Sequence, residues 1–222
     1  MKSPMNMLAL ALAASALTTA APASAQWIDS NIYADDEFKI FVSNAANTPG
    51  VQFAQGAGWA VRFRDRIYLY PGATTYFVHI WVRDVGGSPT GLLGHFLLSN
   101  HRGCKFANGG NVLLTSAAGG LWRVSPRQPS SVVPFTGGPS GAPYFLNVMP
   151  VFATATLTPI SLGTNLTNSW PNAPVPKPFA GVPPNAQWLW SPPSPPAIPN
   201  GTEAWFTTRI TCTTPTLVGN PN

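Results

Sequence analysis

The sequence predicts an all-β fold, and three observations carry that prediction. The 222 residues include 25 prolines and 20 glycines, and proline both removes a backbone donor and blocks a helix interior. Several short stretches alternate apolar and polar side chains with the period of two that marks a strand with distinct faces. Gly, Pro, Asn and Asp clusters separate those stretches, as turn chemistry requires. Only 9% of the residues are charged.

Residues 1–25 read as a secretory signal peptide. Lys2 gives a positive start, Met7 to Leu17 is a short apolar run, and Ala23-Ser24-Ala25 is a small-residue cleavage pattern before Gln26. The apolar run falls short of the roughly 20 residues that span a bilayer, so no membrane span is expected. The expected mature chain, 26–222, is one exported domain, extracellular or periplasmic. Without Lys2 it keeps 11 basic and 7 acidic side chains, a net charge of +4.

The first strand runs from about 37 to 43. Phe38, Ile40 and Val42 share one face, and Lys39, Phe41 and Ser43 the other. A second strand is predicted at 58–63 and a third at 66–70, with Pro71-Gly72 as a turn. Tyr76 to Arg83 alternates again, ending at Asp84-Val85-Gly86-Gly87. Leu92 to Leu98 is the next apolar strand, followed by short ones at 111–115 and 122–124. From Pro126 to Pro199 prolines are dense, which favours extended backbone with few ladder hydrogen bonds. Yet Phe145, Val148, Phe152, Leu157 and Ile160 are too apolar for a solvated linker, so 126–185 reads as an ordered arm across the sheets. Strands resume at 186–191 and 203–210.

Four of these segments together resemble a known family. Ala34-Asp35-Asp36-Glu37-Phe38-Lys39-Ile40-Phe41-Val42 resembles the opening strand of galactose-binding-domain-like jelly-roll modules, which accompany bacterial α-L-rhamnosidases and occur in other exported bacterial proteins. Val78 to Asp84 with Gly86-Gly87 and Gly91-Leu92-Leu93-Gly94 resembles their strand–loop–strand block. Leu114-Thr115 with Trp122-Arg123-Val124-Ser125, and Trp188-Leu189-Trp190 with Ala204-Trp205-Phe206-Thr207-Thr208, resemble two more. Departures occur at Val42-Ser43-Asn44-Ala45, where the family has Val-Asn-Gly, and in the late position of the Trp-Leu-Trp block. The resemblance implies a jelly-roll β-sandwich, an architecture that hosts many functions.

Candidate chemistry is sparse. Cys104 and Cys212 are the only cysteines, and export favours a disulfide between them, the alternative being two buried free thiols. The isolated His79, His95 and His101 lack metal-ligand spacing. Asp35, Asp36 and Glu37 are hard oxygen ligands beside a loop, so they are the candidate calcium ligands; the competing reading has Asp35 and Asp36 binding loop amides. Asp36 and Glu37 diverge as strand neighbours, which suits no glycosidase pair, and Gly138-Pro139-Ser140-Gly141-Ala142 misses the nucleophile elbow by one position. An enzyme is not expected. Arg62-Phe63-Arg64-Asp65-Arg66 reads as the solvent face of a strand, since nucleic-acid binders concentrate more positive charge.

Eight tryptophans remain. Trp122, Trp188 and Trp190 read as core. Trp59, Trp81 and Trp170 are the candidates for an exposed sugar platform, Trp81 because it faces away from Val78, Ile80 and Val82; for Trp81 the alternative is cover by the Pro-rich arm. The expected function is therefore a secreted, non-catalytic carbohydrate-binding module. Its rival is a self-assembling cell-surface or appendage subunit. Asn165-Leu166-Thr167 and Asn200-Gly201-Thr202 are glycosylation sequons, with meaning only in a eukaryotic secretory route.

Overall fold

The computed structural model describes residues 26–58, 61–69, 73–84, 91–99, 103–129, 131, 149–166, 178–192 and 201–213. The strands, in chain order, are β1 (Trp27–Asp35), β2 (Glu37–Ser43), β3 (Val51–Ala57), β4 (Phe63–Tyr68), β5 (Thr75–Arg83), β6 (Gly91–Ser99) and β7 (Cys104–Phe106). They continue with β8 (Val112–Leu114), β9 (Arg123–Val124), β10 (Gln128–Pro129), β11 (Ile160–Thr164), β12 (Gln187–Trp190) and β13 (Thr202–Cys212). One six-stranded sheet runs β11-β12-β6-β1-β4, with β8 on β6. The other, seven-stranded, runs β10-β13-β5-β2-β3, with β7 and β9 also on β13. Every strand pair is antiparallel, and the sheets pack face to face as a β-sandwich.

The period-2 pattern fixes which residues meet in the middle. Ile28, Ile32 and Ala34 of β1 and Leu92, Phe96 and Leu98 of β6 face Phe38, Ile40 and Val42 of β2, Val78, Ile80 and Val82 of β5, and Ala204, Phe206 and Ile210 of β13. Trp122 and Trp190 complete this core, as the sequence suggests. Cys104 and Cys212 stand directly opposite each other on β7 and β13 and form a disulfide. It closes a loop of 108 residues, for which the chain-entropy model gives about 4.7 kcal/mol.

Several strands depart from expectation: β7 was not predicted, and β10 and β11 form inside 126–185, the stretch read as an arm. β1 was not predicted, although Ile28, Ser30, Ile32 and Ala34 alternate with Trp27, Asp29, Asn31 and Tyr33. The strand predicted at 58–63 is instead a connection at Gly58 and 61–62, flanked by β3 and β4; Trp59 and Ala60 lie outside the described residues. β3 is an edge strand with polar Gln52 and Gln55 and a register irregularity opposite Ile40 and Phe41, so its alternation is weak.

Over three of its rows the seven-stranded sheet is buried on both faces. On its outer face the register aligns Glu37, Arg83 and Glu203 in one row, Lys39, Trp81 and Trp205 in the next, and Phe41, His79 and Thr207 in a third. All nine are buried. Part of the Pro-rich arm lies over them. Phe152 sets its edge against the rings of Trp205 and His79, at 4.9 and 5.1 Å between centroids. Trp205 Nε1 donates to the Val151 carbonyl at 3.0 Å. Leu157 exchanges two backbone hydrogen bonds with Val124. Ser131 ties the arm down, accepting from the Val151 amide and donating its hydroxyl to Glu203 at 2.6 Å.

Beneath this cover Arg83 donates to Glu37 Oε2 through Nε at 2.9 Å and Nη2 at 2.6 Å, with both side chains about 95% removed from solvent. Removing one partner of such a pair leaves an uncompensated buried charge, at a cost of roughly 3–5 kcal/mol. Arg83→Met is therefore expected to lower urea unfolding free energy by about that amount. The double variant Glu37→Gln/Arg83→Met is expected to recover part of the loss. Additive losses in the double variant contradict this pairing.

Candidate functional site

The outer face of the six-stranded sheet is only half covered. At one end Phe179, Val182 and Ala186, from the loop 178–186, pack on Tyr33, Leu93 and Trp188. Asn165 holds that loop in place. Its Nδ2 donates to the carbonyls of Phe179 and Val182 at 3.2 and 2.7 Å, and its Oδ1 accepts from the Phe179 amide at 2.8 Å. The asparagine is fully buried with its amide nitrogen committed, so the folded chain offers no glycosylation site there. Asn200 lies outside the described residues.

Beyond Gly181 the face opens into a polar groove of about 610 Å³. Asp29, Asn31, Arg62, Arg64, Arg66, His95 and Gly181 line it, together with Ser30 and Asp65. The ladder places these groups. Residues directly opposite one another project on the same side of a sheet, which puts Asn31, Arg64 and His95 in one row and Asp29, Arg66 and Leu97 in the next. The third row is Trp27, Tyr68 and Ser99. Successive rows lie roughly 6.8 Å apart, so the strip from Arg64 to Tyr68 spans about 13 Å. The Arg alternation seen in the sequence thus is a solvent face, and β1 supplies the residues that complete it.

Charge within the groove is unevenly matched. Asp29 accepts from Arg66 Nε at 3.1 Å, from Trp27 Nε1 at 2.9 Å and from the Ser99 hydroxyl at 2.5 Å. Burial would raise its carboxyl, but these donors, led by Ser99, hold it below the usual carboxylate value. Arg66 also lies over the Trp27 ring, 4.5 Å from its centroid. Arg62 and Arg64 form no ion pair with any described residue. Burial lowers the His95 value, against a hydrogen bond to the Gly181 backbone, so the imidazole is neutral at neutral pH. Tyr68 is 47% exposed at the end of the strip.

The residues singled out from the sequence fall elsewhere. Trp81 is 1% exposed, packed with Phe41 and Trp205 under Phe152 and Ala153. The exposure expected of it is thus corrected, because the arm covers the second face of its sheet. Trp59 and Trp170 lie outside the described residues. Asp35 ends the outward row of β1 and Glu37 begins the outward row of β2, so the sandwich directs them to opposite faces. Glu37 serves Arg83, and among the described residues no three His, Cys, Asp or Glu side chains gather as a metal would need. Of the three expected calcium ligands, Glu37 is thus committed to Arg83, and Asp35 is buried beside Asp36 and Asp84.

A serine–histidine contact does exist, in a form unsuited to catalysis. Ser43 Oγ lies 3.1 Å from His79 Nε2, and Thr207 Oγ1 lies 2.8 Å from His79 Nδ1. Ser43 Oγ also lies 2.5 Å from the Ala45 carbonyl, a closer acceptor than the imidazole. Burial also pushes the imidazole down to about 4, and the group is closed to solvent.

Comparison with family models, with curated proteins and with solved structures finds no match to this chain.

Asp35 supplies a test of the acidic strand junction. Burial, then the hydrogen bond and charge of Asp36 and the charge of Asp84, push its carboxyl up to about 10. With the folded value above the unfolded one, the stability tied to the neutral acid is complete below about pH 3.8 and is lost as pH rises toward 10. Asp35→Asn keeps the neutral shape. It is expected to match wild type near pH 4 and to exceed it by on the order of 2 kcal/mol or more at pH 8 in urea unfolding. A pH-independent difference contradicts the assignment.

Proposed function

We propose that the chain is a secreted, non-catalytic binding module that holds carbohydrate on the outer face of its six-stranded sheet. The observation that carries this reading is the groove at Asn31, Arg64 and Asp29, where hydrogen-bonding groups converge beside the Trp27–Tyr68 edge. Sugars combine apolar ring faces with arrays of hydroxyls, so a recognition site needs a π-face next to oriented polar groups. Tyr68 supplies the exposed ring, and Asn31 and the arginines supply the polar groups. The strip of about 13 Å suits two to three sugar units. The secretory pattern at 1–25 and the disulfide agree with an extracellular or periplasmic setting. The galactose-binding-like resemblance of the sequence points to the same kind of module.

The rival reading, self-assembly through open sheet edges, has less support. β4 is an edge carrying Arg64, Asp65 and Arg66, and the β3 edge carries a register irregularity. Charges and bulges both discourage edge-to-edge pairing.

A glycan array probed with protein 26–222, wild type and Tyr68→Ala, tests the proposal. Binding to a defined set of glycans is expected, with apparent affinity about fivefold or more weaker in Tyr68→Ala, since stacking contributes on the order of 1 kcal/mol. No glycan binding, together with concentration-dependent growth of light scattering, overturns it in favour of assembly.

A further inference from the structure

We infer that the saccharide this groove takes is anionic, bearing carboxylate or sulfate groups that Arg62 and Arg64 receive. This rests on the carbohydrate reading above and narrows it to a ligand class.

The charge balance of the groove is the first argument. Three arginines line it, and the carboxylates among its lining residues are Asp29 and Asp65. Asp29 is saturated by Arg66, Trp27 and Ser99. Asp65 sits opposite Ser30, in the alternate register of β4, and forms no ion pair with a described residue. Arg62 and Arg64 are thus left as cations without a carboxylate partner among the described residues. A neutral sugar offers them only hydroxyls. A uronate or sulfate ester offers two coplanar oxygens to a planar fork, the stronger and more directional bond.

Gly181 is the second argument. It adopts φ +78°, and a side chain at this position would place its Cβ 2.5 Å from Arg62 Nη1 and 3.1 Å from Asn31 Oδ1. The glycine therefore lets the Arg62 guanidinium and the Asn31 amide pack directly against the backbone at one corner of the groove. Both side chains also line the groove, so an oxyanion bound within it meets Arg62, with Asn31 beside it for a neighbouring hydroxyl. The Asn165 clamp holds that corner from behind. Arg64, exposed one row from Arg66, stands ready for a second acidic group along the chain. The inferred ligand is therefore an acidic oligosaccharide lying along β4 from Gly181 toward Tyr68.

Isothermal titration of protein 26–222 with oligogalacturonate, dextran sulfate and neutral β-galactan tests the inference. Arg62→Gln and Arg64→Gln are compared with wild type, and Arg209→Gln, an exposed cation on the other sheet, is the control. The expected result is saturable binding of at least one anionic glycan. It weakens about tenfold or more in Arg62→Gln and Arg64→Gln, stays unchanged in Arg209→Gln, and weakens as salt screens the contact. Which polyanion binds assigns the acid group to carboxylate or sulfate, and either supports the inference. Equal binding of neutral galactan, unaffected by Arg64→Gln, overturns the anionic class while leaving the carbohydrate reading intact. Equal losses in Arg209→Gln and Arg64→Gln overturn the site, since binding would then be diffuse polyanion attraction. Absence of binding to all three, with every variant folded by circular dichroism, overturns both this inference and the reading on which it rests.

Discussion

A sheet in a two-layer sandwich has only one face to give to the shared core. In this protein three rows of the second face of the seven-stranded sheet are as buried as the first. Trp81, Trp205 and Phe41 lie there with Arg83, Glu37 and Glu203, and leaving those rings in water would forfeit roughly 1.5–3 kcal/mol for each large side chain. The chain meets that demand with irregular backbone. Proline-rich sequence suits the task, because extended backbone lacking some donors can lie across a sheet without competing for its ladder. Ser131, Val151 and Leu157 then anchor the arm by hydrogen bonds to β13 and β9.

That cover leaves the two outer faces with different surfaces. With three rows of one outer face buried beside the arm and one end of the other covered by loop 178–186, the polar groove of the described residues lies on the strip of β1, β4 and β6 lined by Asn31, Asp29 and the arginines. Its composition contrasts with the covered surface. Glu37 and Arg83 neutralise each other inside, whereas Arg62 and Arg64 meet no carboxylate among the described residues. The fold pairs its charges where they are desolvated and leaves cations in a groove open to solvent, the arrangement a ligand site needs.

The strands with strong alternation were legible from sequence. β2, β5, β6 and β13 carry three or more apolar residues at period two, and each is found within a residue or two of its expected span. β1 has the same period, but its outward side chains are mostly polar and the Asp-Asp-Glu junction reads as a strand start, so its span is not marked in the sequence. The site was half legible for the same reason. The arginine row of β4 reads directly as a solvent face, but Asp29 and Asn31 enter only through β1. Trp81 shows the harder limit. Alternation tells that Trp81 faces away from Val78, Ile80 and Val82, and says nothing of Phe152, 71 residues further on, which covers it. Asn165 is similar: its tripeptide has the form of a sequon, while its burial depends on carbonyls of residues 179 and 182.

The central claim is that ligand chemistry resides on the arginine face of the six-stranded sheet. A crystal structure of protein 26–222 grown with trigalacturonate tests it most directly. The account predicts sugar density along β4, with a carboxylate on Arg62 or Arg64 and a sugar ring against Tyr68. Ordered sugar on the opposite sheet, with the arm displaced from Trp81 and Trp205, would contradict it.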